Sequence, residues 1–470
     1  MRSVLAGLLL PAALVAQTRQ SALSPDQQLA HDIYKELIEI NTVDSIGSTT
    51  PAAAAVARRF RDAGFPAADV VEIGARPDKG NLIVRYRGNG PSDRKPLLLL
   101  AHLDVVPALQ SDWSPDIDPF KLTERDGYYY GRGTGDNKAS ASIFAATLLR
   151  FKQEGFVPDR DIVLALTTDE EIGGKDGIRW LLANHRELID AAYALNEGAG
   201  GFLRDGKPFI NFVAAEEKTS HGFTLTVSNR GGPSAVARDD NAIYELAQAL
   251  LNVARLQFPV MLSEATRGFF AEMANLEAPD MAAAMRAILA NPGDANAAAA
   301  ISTNPRYRAM LRTTCVATTM AAGQAKNALP QKATANLNCR LLPGDDPAGV
   351  RAKLIEAIND TAVQVSPAPV TDRFPPSPLT PEVMRPMAEV TREVYGAGVP
   401  LIPTLTIASS ESKYLRLAGI PTYGISGLMG DPNDLRTHGK DERVLVKSYY
   451  QSEDFLYRLV KALSKSPAAP

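Results

Sequence analysis

A surplus of basic residues is missing from this chain, and so is any long apolar run beyond its first 20 residues. The 470 residues include 50 Lys and Arg against 53 Asp and Glu, which gives a formal net charge of −3. Because nucleic-acid binding depends on clustered positive charge that neutralises phosphates, we expect no nucleic-acid partner. A transmembrane helix needs about 20 consecutive apolar residues, so we expect no membrane span after the N-terminal segment.

The N-terminal segment has the pattern of a secretory signal peptide. Arg2 precedes an apolar run from Val4 to Ala16, which is too short to span a bilayer, and polar residues follow it. A buried N-terminal helix is the alternative interpretation. We predict a signal peptide over residues 1–20 and a secreted or periplasmic protein. No cysteine stands at the expected cleavage site, so we expect neither a lipid anchor nor any other stable membrane anchor.

Cysteine is scarce, with two residues in the whole chain. Cys315 and Cys339 lie in segments with strand patterns, and residues 323–330 between them are rich in turn formers. In a hairpin the two side chains would be cross-strand neighbours, and an exported protein reaches a compartment where such a pair oxidises. In a reducing compartment they would be two buried thiols. The sequence leaves the disulfide and the thiols open.

Length and element pattern predict a two-domain chain. Residues 25–215 alternate strand and helix patterns, and their strands are continuous apolar runs of the kind buried on both faces. We predict an α/β fold, a mostly parallel sheet sandwiched by helices, formed by residues 21–216 and 373–470. Residues 217–372 predict an inserted α+β lid domain with an antiparallel sheet. Within them the Ala-rich stretch 258–312 predicts further helices.

Carboxylates and histidines follow the predicted buried strands, at the edge where open α/β sheets bind ligands. His102 and Asp104 come after the run LLLL, and strand alternation points both side chains to one face. One of them can then bind a metal while the other fixes the imidazole tautomer. Asp136 lies in the glycine-rich turn GRGTGDN. Taken singly, these residues also fit a surface His–Asp pair and a helix-capping Asp.

Three more positions extend this pattern. Glu170 and Glu171 end one apolar strand, Glu197 ends another, and His438 lies in a polar loop. Adjacent carboxylates in a dry site repel each other unless positive charge offsets them, although an acidic loop is the alternative. A metal bound to one carboxylate leaves the other free as a general base. Together the histidines and carboxylates suit two Zn²⁺ ions sharing a carboxylate, with Co²⁺ or Mn²⁺ as substitutes.

These motifs resemble the zinc-dependent exopeptidases and deacylases that include glutamate carboxypeptidase, Gly-Xaa carboxypeptidase, aminoacylase and succinyl-diaminopimelate desuccinylase. The resemblance covers nearly the whole chain after the signal segment. It implies a homodimer through the lid and a cis peptide between Asp136 and Asn137. It also implies two catalytic residues, Glu170 as the general base and Asp104, which orients His102. The metal ligands that it implies are His102, Asp136, Glu171, Glu197 and His438.

The lid segments KNALP and NCRLLPG resemble the substrate-contacting strands of that family. The resemblance implies that Asn327 and Arg340 face the substrate, with Arg340 suited to a two-pronged grip on a carboxylate. An Arg on the surface of the sheet is the alternative. Ser410 and Glu411 stand where relatives carry Thr-Asp, a mild change in the support of the site.

One departure from the family pattern concerns catalysis directly. Pro233 replaces the histidine of a Gly-Gly-His-Ser loop that helps to stabilise the oxyanion in relatives. His221 starts the strand that leads to this loop, roughly 26 Å away along an extended chain, so it does not substitute locally. Losing one oxyanion donor typically lowers the rate about 10²–10³-fold, which leaves a slow enzyme.

We predict a metallohydrolase that cleaves an amide or peptide bond next to a free C-terminal carboxylate, as a carboxypeptidase or dipeptidase does. The alternative substrate is an N-acyl amino acid, which a deacylase would cleave with the same metal centre. A non-catalytic zinc-binding relative is the alternative of another class, and Pro233 alone favours it. A small peptide or an N-acyl amino acid is therefore the expected ligand.

Overall fold

The computed structural model describes residues 22–91, 93–369 and 373–465. The predicted signal peptide at 1–20 lies outside these residues. Among the helices that are described, none combines the length and the apolar character needed to cross a membrane.

The helices and strands follow the predicted alternation, and their bounds are as follows. The helices are α1 (Pro25–Glu39), α2 (Thr50–Asp62), α3 (Lys138–Glu154), α4 (Ile178–Asn184), α5 (Arg186–Ile189), α6 (Ala242–Arg255), α7 (Glu264–Met273), α8 (Pro279–Ala290), α9 (Ala295–Ile301), α10 (Pro305–Leu311), α11 (Pro347–Ile358), α12 (Pro381–Tyr395), α13 (Ser412–Leu417) and α14 (Val446–Leu463). The strands are β1 (Val70–Gly74), β2 (Gly80–Tyr86), β3 (Leu97–His102), β4 (Thr123–Arg125), β5 (Tyr128–Tyr130), β6 (Ile162–Thr167), β7 (Tyr193–Asn196), β8 (Gly201–Arg204), β9 (Lys207–Glu217), β10 (Thr219–Ser228), β11 (Gly232–Pro233), β12 (Thr314–Ala322), β13 (Ala328–Leu329), β14 (Lys332–Leu341), β15 (Val363–Pro367), β16 (Leu401–Thr406), β17 (Thr422–Gly424), β18 (Met429–Gly430) and β19 (Arg443–Leu445).

The central sheet has the order β1-β2-β6-β3-β7-β17-β9-β8-β18, with β16 paired to β9. Strands β6, β3, β7 and β17 run parallel to one another at its middle. Every residue of β3 and β6 is buried, because helices cover both faces of the sheet. The predicted mostly parallel sheet flanked by helices is therefore confirmed.

A second, four-stranded sheet has the order β12-β14-β10-β15 and is antiparallel throughout. Burial alternates along β10 and β14, and helices α6 and α11 cover the buried face. We call these four strands and two helices the small domain. Strand β12 lies at one edge of its sheet, and its residues 316–322 are exposed.

The helices α7 to α10 arise from the Ala-rich stretch, and we call residues 258–312 the helical insertion. Their apolar side chains form one cluster with Ile210 and Phe212 of β9 and with Ile402 and Leu405 of β16. The helical insertion therefore packs on the central sheet. Lys218, which joins β9 to β10, donates from its buried Nζ to the Ala309 and Arg312 carbonyls, both at 2.8 Å.

The two cysteines are bonded to each other. Cys315 of β12 and Cys339 of β14 are register partners, and the structure contains the Cys315–Cys339 disulfide. The hairpin inferred from the sequence is confirmed, and of the two redox states left open the bridged one is present. The bond fastens the edge strand of the small domain to its neighbour.

We expect the Cys315→Ser/Cys339→Ser variant to lose about 2–4 kcal/mol of unfolding free energy, because the bridge closes a loop of 24 residues in the unfolded chain. Guanidinium unfolding of the full chain measures the difference between the oxidised wild type and the variant. Wild type unfolded in the presence of reductant should match the variant. Equal stability of the oxidised protein and the variant would contradict the expectation.

Candidate metal centre

The predicted ligands meet at the carboxyl edge of the central sheet. His102 is the last residue of β3, Glu197 follows β7 directly, and Glu170 and Glu171 come just after β6. Because β3 lies between β6 and β7 and all three run parallel, their ends bring these side chains together. The loops after β5 and before β19 add Asp136 and His438 from outside the sheet.

One group of ligand atoms joins His102, Asp136 and Glu197. The His102 Nε2 lies 2.9 Å from Asp136 Oδ1 and 3.5 Å from Glu197 Oε2. The imidazole is buried, and its Nδ1 donates to the Asp104 carbonyl at 3.0 Å, which leaves Nε2 free to bind a cation. The atoms of the three residues all lie within 4.8 Å of one another.

A second group joins Asp136, Glu171 and His438. The His438 Nε2 lies 3.2 Å from Asp136 Oδ2 and 3.1 Å from Glu171 Oε1. Asp136 thus offers one oxygen to each group. Imidazole nitrogens and carboxylate oxygens are the ligands that Zn²⁺ accepts, and the shared carboxylate fits a two-metal site.

The charge balance of the site also fits bound cations. Burial and the nearby Glu197 raise the pKa of Glu170 to about 9, and burial and Asp136 raise the pKa of Glu197 to about 8. Without a cation at the site, burial and the neighbouring carboxylates therefore favour the protonated forms of Glu170 and Glu197. Cations at the two groups would lower both pKa values and stabilise the ionised forms.

The Asp104 carboxylate positions the turn that carries Glu170, the predicted general base. Its two oxygens accept the backbone N–H groups of Glu170 at 3.2 Å and Glu171 at 3.1 Å. Its Oδ1 lies 3.6 Å from the His102 Nδ1, which bonds the Asp104 carbonyl instead. Asp104 therefore contacts both the candidate ligand His102 and the Glu170 turn, and the second contact was not foreseen.

Asp169 and Lys79 were not identified from the sequence, because the contact between them joins distant segments. Asp169, which precedes Glu170, has φ +66° and is held by the buried Lys79, which also binds Asp44. A non-glycine residue in the left-handed region needs such support. Nothing in the turn around Lys79 marked it in the sequence.

The third missed residue is Glu442, four residues after His438. One Glu442 oxygen accepts Gly135 N–H at 2.8 Å and Asp136 N–H at 3.2 Å, and the other accepts Gly133 N–H at 3.1 Å and the Arg132 guanidinium at 2.6 Å. Glu442 and Arg132 are both buried. This carboxylate therefore fixes the loop of Asp136 against the loop of His438. We call Glu442 and Arg132 the loop clamp.

The loop that carries Asp136 has an unusual backbone conformation, with a cis peptide and a glycine at positive φ. The Asp136–Asn137 peptide is cis, as the resemblance implied. Gly133 has φ +85°, and a Cβ there would meet Val105 Cγ1 at 2.8 Å. A larger residue at position 133 would displace the loop.

The predicted substrate contacts lie apart from the ligands. Arg340 of β14 pairs in register with Ser220 and Thr314, and burial lowers its pKa. Asn327 is exposed, and its carbonyl accepts the Ser234 N–H at 3.0 Å. Neither residue is among the described residues that line the cavity at the metal ligands.

The Pro233 loop has a defined place. Pro233 of β11 pairs with Ala328 of β13, which puts it beside Asn327. His221 is the register partner of Cys339 and stacks edge-on against Phe223 at 4.8 Å. It therefore lies in the sheet of the small domain and not in the loop of Pro233.

Ser410 and Glu411 lie next to the candidate ligands and make hydrogen bonds to buried groups. The Ser410 hydroxyl bonds Glu217, and buried Glu411 accepts the Thr167 hydroxyl at 2.6 Å, at the end of β6. Burial raises the pKa of Glu411 to about 8. Both residues are buried, and Ser410 also lines the cavity at the candidate ligands.

The fold and the paired ligand groups define a metal-dependent hydrolase of peptide or amide bonds. Residues 98–462 match the model of peptidase family M20/M25/M40. The chain belongs to this family, so the resemblance seen in the motifs is confirmed.

Relatives and solved structures agree with this assignment. The chain is 29% identical over 400 residues to a probable carboxypeptidase S-like 2 of Dictyostelium discoideum, covering 82% of this chain and 75% of that protein. It is 28% identical over 388 residues to the human N-fatty-acyl-amino acid synthase/hydrolase PM20D1, and the match covers 80% of this chain and 75% of the human protein. The fold is similar to that of the M20 metallo-carboxypeptidase Sso-CP2 of Sulfolobus solfataricus, with a TM-score of 0.67, 18% identity and coverage of 93% and 99%.

Proposed function

We propose that the protein is a two-zinc hydrolase that cleaves an amide bond next to a free carboxylate. The observation that carries the proposal is the shared Asp136, which links two ligand groups beside Glu170. Two bound cations would supply the acidification of a water molecule and the polarisation of the scissile carbonyl. The ligand set suits Zn²⁺, and Co²⁺ and Mn²⁺ fit the same atoms.

Glu170 moves the proton in this proposal. One of its oxygens belongs to a set of ligand-type atoms with His102 and Glu171 that lie within 4.8 Å of one another. Its carboxylate takes a proton from the attacking water and gives it to the nitrogen of the leaving amine. Asp104 holds this residue in place through the backbone of the turn.

In this proposal the small domain binds the substrate carboxylate. We propose that Arg340 binds this carboxylate and that Asn327 contacts the substrate when the small domain approaches the metal centre. The loop beside Asn327 has Pro233 where the family pattern has a histidine, so it offers no imidazole to stabilise the oxyanion. We therefore expect slow turnover.

Between the two substrate types, the cavity at the metal centre favours an N-acyl amino acid with an apolar acyl group over a small polar peptide. Aromatic and aliphatic side chains line the part of this cavity beyond the ligands. The name of the human relative, an N-fatty-acyl-amino acid hydrolase, agrees with this preference. A carboxypeptidase acting on apolar C-terminal segments is the second candidate, and the Dictyostelium relative's name agrees with it.

Hydrolysis of a panel of N-acyl amino acids and dipeptides by the zinc-loaded protein tests the proposal. Release of free amino acid supports the hydrolase, and the better substrate class decides between deacylase and peptidase. Binding of two zinc ions without turnover on any substrate would favour the non-catalytic relative and make Pro233 the residue to examine.

Removal of the metals is expected to abolish activity and to lower the melting temperature. Without metal, several buried carboxylates lie close together and repel one another. A metal ion that binds only the folded state stabilises that state by mass action. Dialysis against a chelator, followed by addition of Zn²⁺, Co²⁺ or Mn²⁺, measures recovery of activity and of the melting temperature. Full activity in the chelated protein would contradict the two-metal assignment.

We further propose a homodimer through the small domain. Strand β12 is an edge strand, and its Val316 and Met320 side chains are 58% and 63% exposed. An uncovered apolar edge strand pairs readily with another copy of itself. Sedimentation of wild type should show a dimer that Met320→Lys dissociates, while Val157→Lys on the catalytic domain leaves it intact. A wild-type monomer would exclude this dimer.

Export remains part of the proposal. The Cys315–Cys339 disulfide is the kind of bond that persists in oxidising compartments, so we propose a secreted or periplasmic location. Fractionation of the native host, with N-terminal sequencing of the mature protein, checks the location and the signal peptide together.

A further inference from the structure

The helical insertion forms part of the wall of the catalytic cavity. The cavity has a volume of about 1710 Å³ and is lined at one end by the metal ligands Asp136, Glu171, Glu197 and His438. Phe269, Met273 and Met310 of the insertion line the same cavity. All three are buried, and they face Phe202 and Phe212 of the central sheet. One space therefore contains both the metal centre and an apolar chamber.

The apolar chamber begins directly beside a metal ligand. Three residues, 198–200, separate Glu197 from β8, which carries Phe202. The Gly198 carbonyl accepts the Thr406 hydroxyl at 3.0 Å, and Leu405, the preceding residue, belongs to the apolar cluster of the insertion. A group attached to the carbonyl carbon of a substrate at the metals can thus extend into the chamber.

The charge distribution decides which side of the substrate enters. A carboxylate placed among Phe269, Met273 and Met310 would lose its hydration and gain no hydrogen-bond donor from these three side chains, which is strongly unfavourable. Two arginines of the lining are exposed: Arg204 stacks on Phe209 at 3.4 Å, and Arg306 lies 5.4 Å from the centre of the Phe202 ring. Glu277, also in the lining, is partly buried and accepts the Tyr307 hydroxyl, so it already has a partner and adds negative charge that disfavours a substrate carboxylate. The chamber therefore suits the apolar acyl side of the substrate.

We propose that the helical insertion builds a binding site for a long, unbranched aliphatic acyl chain. The site makes the acyl group of an N-acyl amino acid the determinant of specificity, and it rests on the hydrolase activity proposed above. Each methylene buried in such a site contributes about a fourfold gain in kcat/KM until the chamber is full. A core that merely holds the insertion in place predicts no such dependence.

The test uses the zinc-loaded full chain and a series of N-acyl glycines with acetyl, butyryl, octanoyl, dodecanoyl and palmitoyl groups. We expect kcat/KM to rise steeply with chain length in wild type and then to level off. In Met273→Trp, which fills the chamber, we expect the dodecanoyl-to-acetyl ratio of kcat/KM to fall about tenfold or more, with a plateau at a shorter chain.

Two matched controls separate chain binding from loosening of the insertion. Glu272 is the exposed neighbour of Met273 on α7, so Glu272→Ala should keep the wild-type ratio. Met285 is fully buried in the same cluster but does not line the cavity, so Met285→Ala should destabilise the protein and keep the ratio. An equal fall of the ratio in all three variants would overturn the proposal.

The outcomes also separate this inference from the proposed function. A flat dependence on chain length, with acetylglycine hydrolysed, overturns the acyl-chain site and keeps the hydrolase. Preference for peptides with apolar side chains over every acyl glycine overturns it in favour of a peptide-binding chamber. No hydrolysis of any substrate overturns the proposed function itself, and a measurement of zinc-loaded protein binding to dodecanoylglycine then still tests the chamber.

Discussion

Glu170→Gln is expected to lower kcat about 10²–10⁴-fold while both metal ions stay bound. The amide has the shape of the carboxylate but cannot accept a proton, and none of the ligand atoms of the two groups that share Asp136 belongs to Glu170. Asp104 binds the backbone of residue 170, so the turn keeps its place in the variant. Turnover of the best substrate and metal content by mass spectrometry, measured on the same preparation, check both parts.

The adjacent residue provides the matched control. Glu171→Gln changes the same functional group one position along the chain, but here the side chain lies 3.1 Å from His438 Nε2 in a ligand group. We expect this variant to lose one metal ion, and the loss of activity should be partly reversed by excess Zn²⁺. If Glu170→Gln lost metal and Glu171→Gln did not, the assignment of base and ligand would be reversed.

The second large effect is expected at the loop clamp. Glu442→Ala leaves the Arg132 guanidinium buried without its carboxylate and removes the acceptor of three backbone N–H groups. We expect a loss of about 3–5 kcal/mol of unfolding free energy and an about 10–100-fold loss of metal affinity. Denaturant unfolding and zinc competition titration measure the two quantities.

A double variant distinguishes positioning from stability. Arg132→Met/Glu442→Leu removes both charges and replaces them with apolar groups, which often restores the stability of a buried pair. The Asp136 loop still lacks its acceptor, so we expect stability to recover and metal affinity to stay low. Recovery of both together would show that Glu442 acts only on stability and does not position the ligand.

The clustering of the candidate ligands could be predicted because several of them follow recognisable elements. His102 ends an apolar strand and Glu197 follows another, and parallel strands bring their carboxyl ends to one edge. The cysteine hairpin was readable for a similar reason, because its two strands and its turn are neighbours in sequence. Local pattern and a rule of sheet topology were sufficient in both cases.

The support of the site could not be predicted in the same way. Glu442 bonds a loop about 300 residues earlier, and Lys79 reaches Asp169 across 90 residues. Such pairs depend on the finished fold and leave no local signal. The helical insertion shows the same limit, since amphipathic helices indicate that they bury one face and not which surface receives it.

The helical insertion also changes how the small domain is attached. The chain passes between the central sheet and the small domain at Lys218, before α7, after α10 and after β15, which makes four connections instead of the two of a simple insert. Lys218 joins the first of these to the third through its bonds to Ala309 and Arg312. Because all four connections would move when the small domain rotates, we expect such a rotation to shift the helical insertion and to change the shape of the proposed acyl-chain site.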